Sequence, residues 1–404
     1  MTKTLRALKG CGGQYSILKA QRPHANVNIC RMNASTRVIV GLSGGVDSAV
    51  SAWLLREQGY QVEGLFMKNW EDDDTATQCT SETDLADARQ VAAALDIPLH
   101  QANFAAEYRD QVFDHCLQEF RAGRTPNPDI LCNQRIKFRA FLDRAIRLGA
   151  DYVATGHYAA VAGDTGARRL CRAVDANKDQ TYFLYTLNQH QLAHALFPLA
   201  ELTKPEVRAL ADQAGFANFD KPDSTGICFI GERDFRGFLA RYIESTPGAI
   251  VSIDGEPLGQ HRGLAFYTLG QRRGLDLGGQ SGHCGLPWYV VEKDLAHNQL
   301  IVAQGHDHPA LMSTGLTATN WHWVDGVGPP QSIACTARLR HRHPDTPASL
   351  EPIGPDHWQV SFASPQRGVT PGQSVVIYNG QDCLGGGIIT TRQAVVGAMN
   401  VGAA

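Results

Sequence analysis

In the stretch GRTPNPDILCNQRIKF (123–138), Asp129 and Cys132 stand three residues apart at the start of an expected helix, with Asp129 as its N-cap. A thiol placed there lies over the positive end of the helix dipole, and Arg135 and Lys137 add charge of the same sign. Both effects favour the thiolate, the form that attacks electrophiles. A carboxyl and a thiolate at this spacing can face one site. The competing reading is a buried structural cysteine, a common use of the residue; the polar setting counts against it. A second cysteine, Cys228, lies in FDKPDSTGICFIGERDF (219–235), in an apolar run bounded by Gly226 and Gly231. On its own it reads more readily as a small buried hydrophobe than as a reactive group.

A third stretch, VIVGLSGGVDSAVSAWLL (38–55), runs an apolar strand through Gly41, Gly44 and Gly45 into a helix start. Glycines let a backbone approach an anion closely, and the unsatisfied amides that follow favour negative charge. Ser43 and Ser48 add hydroxyl donors, and Asp47 is placed to hold a magnesium ion. The spelling is neither G-x-x-x-x-G-K-[ST] nor G-x-G-x-x-G, so no loop lysine reaches for phosphates and a dinucleotide turn is excluded. The competing reading is a tight turn that uses glycine only for its freedom at positive φ.

These residues need a scaffold that delivers them. From 36 to about 230 strands alternate with helices: RVIVGL, QVEGLFM, PLHQAN and DYVATGH read as strands. Helices are expected at 47–58, with Val50, Trp53 and Leu54 on one face; at 81–97, opened by Ser81 with Asp84; and at 131–150, with Leu131, Phe138, Phe141, Leu142, Ala145 and Ile146 inward. A further helix follows Thr203, with Pro205 in its first turn and Gly215 as its stop. Alternating elements predict a parallel sheet covered on both faces, with ligands at the carboxyl ends of its strands, where Ser43–Ser48 lies. After about 245 helical periodicity gives way to short strands and frequent glycine, which predicts two small β-rich domains of barrel type.

The 404 residues suffice for two or three domains, with 43% hydrophobic and 19% charged residues, and global disorder is excluded. No run of 18 apolar residues occurs, so no membrane span is expected. Ten cysteines without a C-x-x-C pair fit a reducing, cytoplasmic compartment and no zinc ribbon. Two histidine pairs, HDH (306–308) and HRH (341–343), each place two imidazoles on one expected strand face, but no third ligand stands nearby, so no metal site is expected. The net charge of −3 means that nucleic-acid binding must rest on local patches. Candidates are Arg168, Arg169, Arg172 and Lys178 with Tyr182 and Phe183; Arg272 and Arg273; and Arg338, Arg340 and Arg342, which alternate as if on one strand face. Residues 1–32 carry six basic and no acidic residues, and are expected to be a disordered extension or a mis-assigned start upstream of Met32.

With these segments in order, the chain resembles the bacterial-type tRNA-specific 2-thiouridylases, the MnmA/TrmU family of PP-loop ATP pyrophosphatases. The resemblance rests on GLSGGVDSAVSAWLL, GLFMKNWEDDD, GRTPNPDILCNQRIKF, ATGHYA, KDQTYFLY, KPDSTGICFIGERDF, LGQRRGL, PWYVVEKD, VAQGHDHP, TPGQSVVIYNG and CLGGGII, and covers about 33–395. The PP-loop is shared with many ATP pyrophosphatases; the two cysteine motifs together are specific to this family. The fold implied is an α/β, adenine nucleotide alpha hydrolase-like domain (33–232) after the extension (1–32), then a central β-rich domain (233–304) and a C-terminal tRNA-binding β-barrel (305–404).

The resemblance also implies roles. ATP would be bound by Gly41, Leu42, Ser43, Gly44, Gly45, Val46, Asp47 and Ser48, with Met67 and Gly156 near the adenosine and Mg²⁺ arriving with the nucleotide. Cys132 would be the nucleophile and Cys228 the persulfide carrier. Asp129 would be the acid/base beside the target uridine, lined by Asn127 and Pro128. His157, Lys178, Asp179, Gln180, Arg340, His341 and Gln373 would meet tRNA. His341 departs from the tyrosine usual at its position, which alters the stacking expected there. The implied reaction adenylates C2 of the wobble uridine, releases pyrophosphate, and replaces AMP with persulfide sulfur, leaving a disulfide between the two cysteines. The implied partners are tRNAs for Lys, Glu and Gln and a persulfide relay protein or cysteine desulfurase. Two other classes compete: a PP-loop amidotransferase or ligase, which predicts a need for ammonia and no cysteine role, and a non-catalytic RNA-binding protein with a vestigial nucleotide fold.

Overall fold

The computed structural model describes residues 33–71, 80–223, 235–277 and 285–395. The extension 1–32 and Cys228 lie outside the described residues.

The first strand, β1 (Arg37–Gly41), carries the buried apolar run Val38-Ile39-Val40, as a strand covered on both faces requires. It lies between β2 (Gln61–Lys68) and β4 (Tyr152–Ala154); β3 (Leu99–Asn103) flanks β2, and all of these pairs are parallel. A hairpin, β5 (Ala159–Ala162) and β6 (Arg169–Arg172), follows, and β7 (Ala195–Leu196) closes the order β3-β2-β1-β4-β7. Alternation along β1 serves two cores. Val38 and Val40 pack with the helices Val46–Glu57, Thr80–Ala94 and Lys204–Gln213, whereas Ile39 packs with Leu65, Val153 and the helical stretch that carries Cys132. All three β1 side chains have zero exposure, and each contributes about 1.5–3 kcal/mol.

Three local expectations are corrected. The second helix is described over Thr80–Ala94, so Ser81 lies within it rather than ahead of it. The Cys132 helix is capped by Asn127, whose Oδ1 accepts from the amides of Asp129 and Ile130, with Pro128 as its first residue. Pro128 has no amide to satisfy there, which shifts the cap two residues before Asp129. Ile146, expected inward, is 39% exposed because this helix does not keep one α-helical phase. It runs Pro128–Cys132, then a π turn Asn133–Ala140, then Phe141–Arg147. The Thr203 start is as expected, with Thr203 and Glu206 forming a capping box and Gly215 at φ +74°.

Beyond the α/β unit, β8 (Gly248–Ser252), β9 (Pro257–His261), β10 (Trp288–Asp294) and β11 (Gln299–Gln304) form one sheet in the order β10-β11-β8-β9. Then β12 (Met312–Trp323), β13 (Ile333–Arg338), β14 (Thr346–Gly354), β15 (His357–Arg367), β16 (Ser374–Asn379) and β17 (Asp382–Ala394) pair in the order β12-β15-β14-β13-β16-β17. Pairing of β12 with β17 closes a six-stranded barrel and removes its open edges. The β5–β6 hairpin leaves the α/β unit and pairs with the start of β17, through Cys171 with Asp382 and Leu170 with Cys383.

The arginine stripe expected at 338–342 does not form. Strand β13 ends at Arg338, and Arg340 and Arg342 follow in irregular chain. Arg338 is buried, donating to Asp179 at 3.0 Å and Asp345 at 2.8 Å. The HDH and HRH segments also lie in turns, so their histidines share no strand face. Among the described residues no helix is long and apolar enough to cross a membrane.

Candidate nucleotide and thiol site

The glycine loop leaves the carboxyl end of β1 in the centre of the sheet. Gly44 has φ +77°, and a Cβ there would stand 2.4 Å from the Asp84 carbonyl oxygen, so only glycine fits. Gly45 is the N-cap of Val46–Glu57 but offers no side chain to its amides. The hydroxyls of Ser43 and Ser48 lie 3.3 Å apart; Ser48 accepts from the Ser43 amide and donates to the Gly45 carbonyl. Asn218 Nδ2 fixes the Gly44 carbonyl at 3.0 Å. Gly156 abuts the same helix start: a Cβ there would meet the Ser48 amide nitrogen and the Asp47 carbonyl carbon at 2.8 Å each. Met67, on β2, borders Gly41, within 3.8 Å of where a Cβ of Gly41 would lie. The loop residues, Met67 and Gly156 therefore gather at one end of the sheet.

A chain of charges closes that end. Lys204 Nζ donates to both Asp47 carboxylate oxygens, at 2.7 and 2.8 Å, and Tyr158 OH donates to one of them at 2.9 Å. Lys204 also bridges to Asp223 at 2.7 Å, and Asp223 pairs in turn with Lys178. Burial pushes the Asp223 carboxyl upward, but bonds from Lys178 and Lys204 outweigh it and hold it down at about 2. Asp223 is thus ionised throughout the neutral range.

The stretch 178–180 serves three places at once. Lys178 pairs with Asp223, and Gln180 accepts from the Tyr158 amide at 2.9 Å. Asp179 is 1% exposed and meets Arg338 from the barrel. His341 Nε2 lies 2.9 Å from the Asp179 carbonyl and donates to it, and the His341 ring lies 4.6 Å from that of Phe183. His157 is buried, bonded through Nδ1 to Thr155 at 2.8 Å, with burial pushing its pKa well down. Arg340 donates to the Gly368 carbonyl at 3.0 Å and remains exposed.

The thiol site differs from its expected setting. Cys132 is the fifth residue of its helix and 1% exposed, in the core with Ile136 and Phe141. Asp129, three residues earlier, is half-buried. Arg135 does not lie against solvent as a free cation: it donates to the Gln111 carbonyl and ties the π turn Asn133–Ala140 to a second one, Arg109–Phe113.

Three regions of the chain match known families: residues 36–232 match the tRNA methyl transferase HUP domain, 236–304 the tRNA methyl transferase PRC-barrel domain, and 313–389 the aminomethyltransferase beta-barrel domain. A protein of Alkalilimnicola ehrlichii named tRNA-specific 2-thiouridylase MnmA is 61% identical over 366 residues, 90% of this chain and 100% of that protein. An Escherichia coli protein of the same name is 57% identical over 357 residues, 88% of this chain and 97% of that one. The chain belongs to the tRNA-specific 2-thiouridylase family. A solved 4-thiouridine synthetase–RNA complex with bound ATP is similar at 19% identity and a TM-score of 0.34, over 49% of this chain and 46% of that one.

The 2-thiouridylase motifs name Asp47 and Lys178 but not the groups that hold them. Lys204, Tyr158 and Asp223 went unread as site residues. One signal for Lys204 was present: a lysine at the first position of a helix opposes the dipole, and such a cation needs acidic partners. Tyr158 directly follows the Gly156-His157 pair but carried no such signal.

Proposed function

We propose that this chain is a tRNA-uridine 2-sulfurtransferase, using ATP to activate C2 of the wobble uridine and replacing its oxygen with sulfur. Identity of 57–61% to proteins named tRNA-specific 2-thiouridylase, over nearly their whole length, carries the reading. Oxygen at C2 is a poor leaving group, and adenylation turns it into part of AMP. The amides and hydroxyls of Ser43–Ser48 suit the pyrophosphate that departs. Lys204 supplies there the cation that the loop lacks. Asp47 is the carboxylate that would hold magnesium brought by the nucleotide, with Lys204 then paired to Asp223 alone. That ion would neutralise phosphate charge.

Asp129 serves as acid/base at the uridine, which Asn127 and Pro128 line. The persulfide on Cys228 attacks C2 through its terminal sulfur and AMP leaves. The Cys132 thiolate then attacks the inner sulfur of Cys228, the S–S bond to the transferred sulfur breaks, and a Cys132–Cys228 disulfide remains for reduction. The buried Cys132 thiol must become accessible for that step. Contacts with tRNA are assigned to Lys178, Gln180, Arg340 and His341, with buried His157 and Asp179 supporting them from beneath. The substrates are tRNAs for Lys, Glu and Gln, and a persulfide relay protein or cysteine desulfurase loads Cys228 in the cytoplasm.

Tracing α- and γ-labelled ATP tests the activation step. AMP and pyrophosphate are expected, and only with tRNA present; ADP and phosphate as the products would overturn the reading.

A further inference from the structure

The segment 123–126 leads into the helix of Asp129 and Cys132, and remote parts of the chain hold it. Gln373 Nε2 donates to the Thr125 carbonyl at 2.8 Å and to the Pro126 carbonyl at 3.1 Å. The Thr125 amide donates to the Pro371 carbonyl at 3.0 Å. Between these bonds Gly372 has φ +92°, and a Cβ on it would lie 2.7 Å from the Thr125 nitrogen and 2.9 Å from its oxygen. Residues 371–373 of the barrel thus close on the main chain of two residues. The central domain grips the same segment from elsewhere: Thr268 Oγ1 lies 3.3 Å from Thr125 Oγ1, and Lys293 donates to the Gly123 carbonyl at 3.0 Å.

The chain between this clamp and the helix is stiff. Pro126 and Pro128 have fixed φ, and Asn127 between them is the cap whose Oδ1 receives the Asp129 and Ile130 amides. A displacement at Thr125–Pro126 therefore passes to the cap, and from it to Asp129 and Cys132.

We propose that Gln373 is a positioning residue for Asp129 and Cys132, acting through the Thr125 and Pro126 carbonyls. The C-terminal barrel would then set the geometry of the reacting groups through this clamp. The proposal rests on the sulfurtransferase reading, because it assigns Gln373 an effect on that reaction.

The test measures kcat and KM for tRNA in ATP- and persulfide-dependent 2-thiouridine formation, together with tRNA affinity by filter binding, for wild type, Gln373→Ala and Gln373→Glu. The glutamate keeps the size of the side chain but replaces its donor with an acceptor facing two carbonyls. Misplacing a reacting group by about 1 Å costs on the order of 100-fold in rate, so kcat should fall by about 10- to 100-fold in both variants. The Kd for tRNA should stay within about 3-fold, since no phosphate contact is removed. If Gln373→Ala does not fold, Gln373→Glu decides alone. An unchanged kcat in the folded variant, or a loss confined to KM and Kd, overturns the proposal and makes Gln373 an RNA ligand or a bystander. Wild-type protein that forms no 2-thiouridine would instead refute the sulfurtransferase reading.

Discussion

Cys132→Ser is expected to lower 2-thiouridine formation by on the order of 10³-fold or more, while the single-turnover rate of tRNA-dependent pyrophosphate release stays within about 3-fold of wild type. Adenylation precedes sulfur transfer and uses the glycine loop, not the thiol. Serine cannot attack a persulfide to leave a disulfide, so the second half of the reaction has no route. The site is 1% exposed, and burying a hydroxyl in place of the less polar thiol carries a desolvation cost. Thermal unfolding of the variant therefore belongs in the experiment, and retained pyrophosphate release shows that the fold survives. Cys228→Ser should give the same split. Near wild-type thiolation by either variant would remove the cysteine pair from the mechanism.

The second large effect is expected at Lys204. Its ammonium bridges Asp47 and Asp223, and Lys204→Met leaves two carboxylates facing one another at the glycine loop. Loss of one preorganised charge contact to a developing anion typically costs about 10²–10³-fold; pyrophosphate release should fall by about 10²-fold and ATP should bind more weakly. Thiolation should fall in step, because activation then limits it. Lys204→Arg keeps the charge and should recover part of the loss. A Lys204→Met protein with wild-type pyrophosphate release would show that the lysine only neutralises Asp47 in the resting state.

The parts of this fold that local chemistry dictates were legible. The apolar run Val38-Ile39-Val40 is the centre of β1, and Thr203 with Glu206 opens its helix as the spacing requires. The glycine loop, Gly156 and Met67 were also legible as neighbours through the family resemblance, and they lie together. Partners brought in from far along the chain were not legible. Lys204 reaches Asp47 across 157 residues, and Arg338 reaches Asp179 across 159. From sequence Arg338 looked like one tooth of a basic surface stripe; its fork is buried because two carboxylates meet it there. The π turn after Cys132 likewise has no period that a hydrophobic pattern reveals, and it moves Ile146 off the buried face. Burial of Cys132 depends on a core that includes Ile39, Leu65 and Phe238, from three separate stretches, so the polar residues beside it in sequence misled.

The most direct test incubates the full chain with unmodified tRNA, ATP, magnesium and a persulfide donor, then digests the tRNA and measures its nucleosides by mass spectrometry. A 2-sulfurtransferase yields 2-thiouridine at the wobble position, dependent on ATP and on the donor, with one AMP formed for each sulfur incorporated. Absence of 2-thiouridine under conditions in which ATP is consumed, or an aminated nucleoside formed from ammonia, would contradict it.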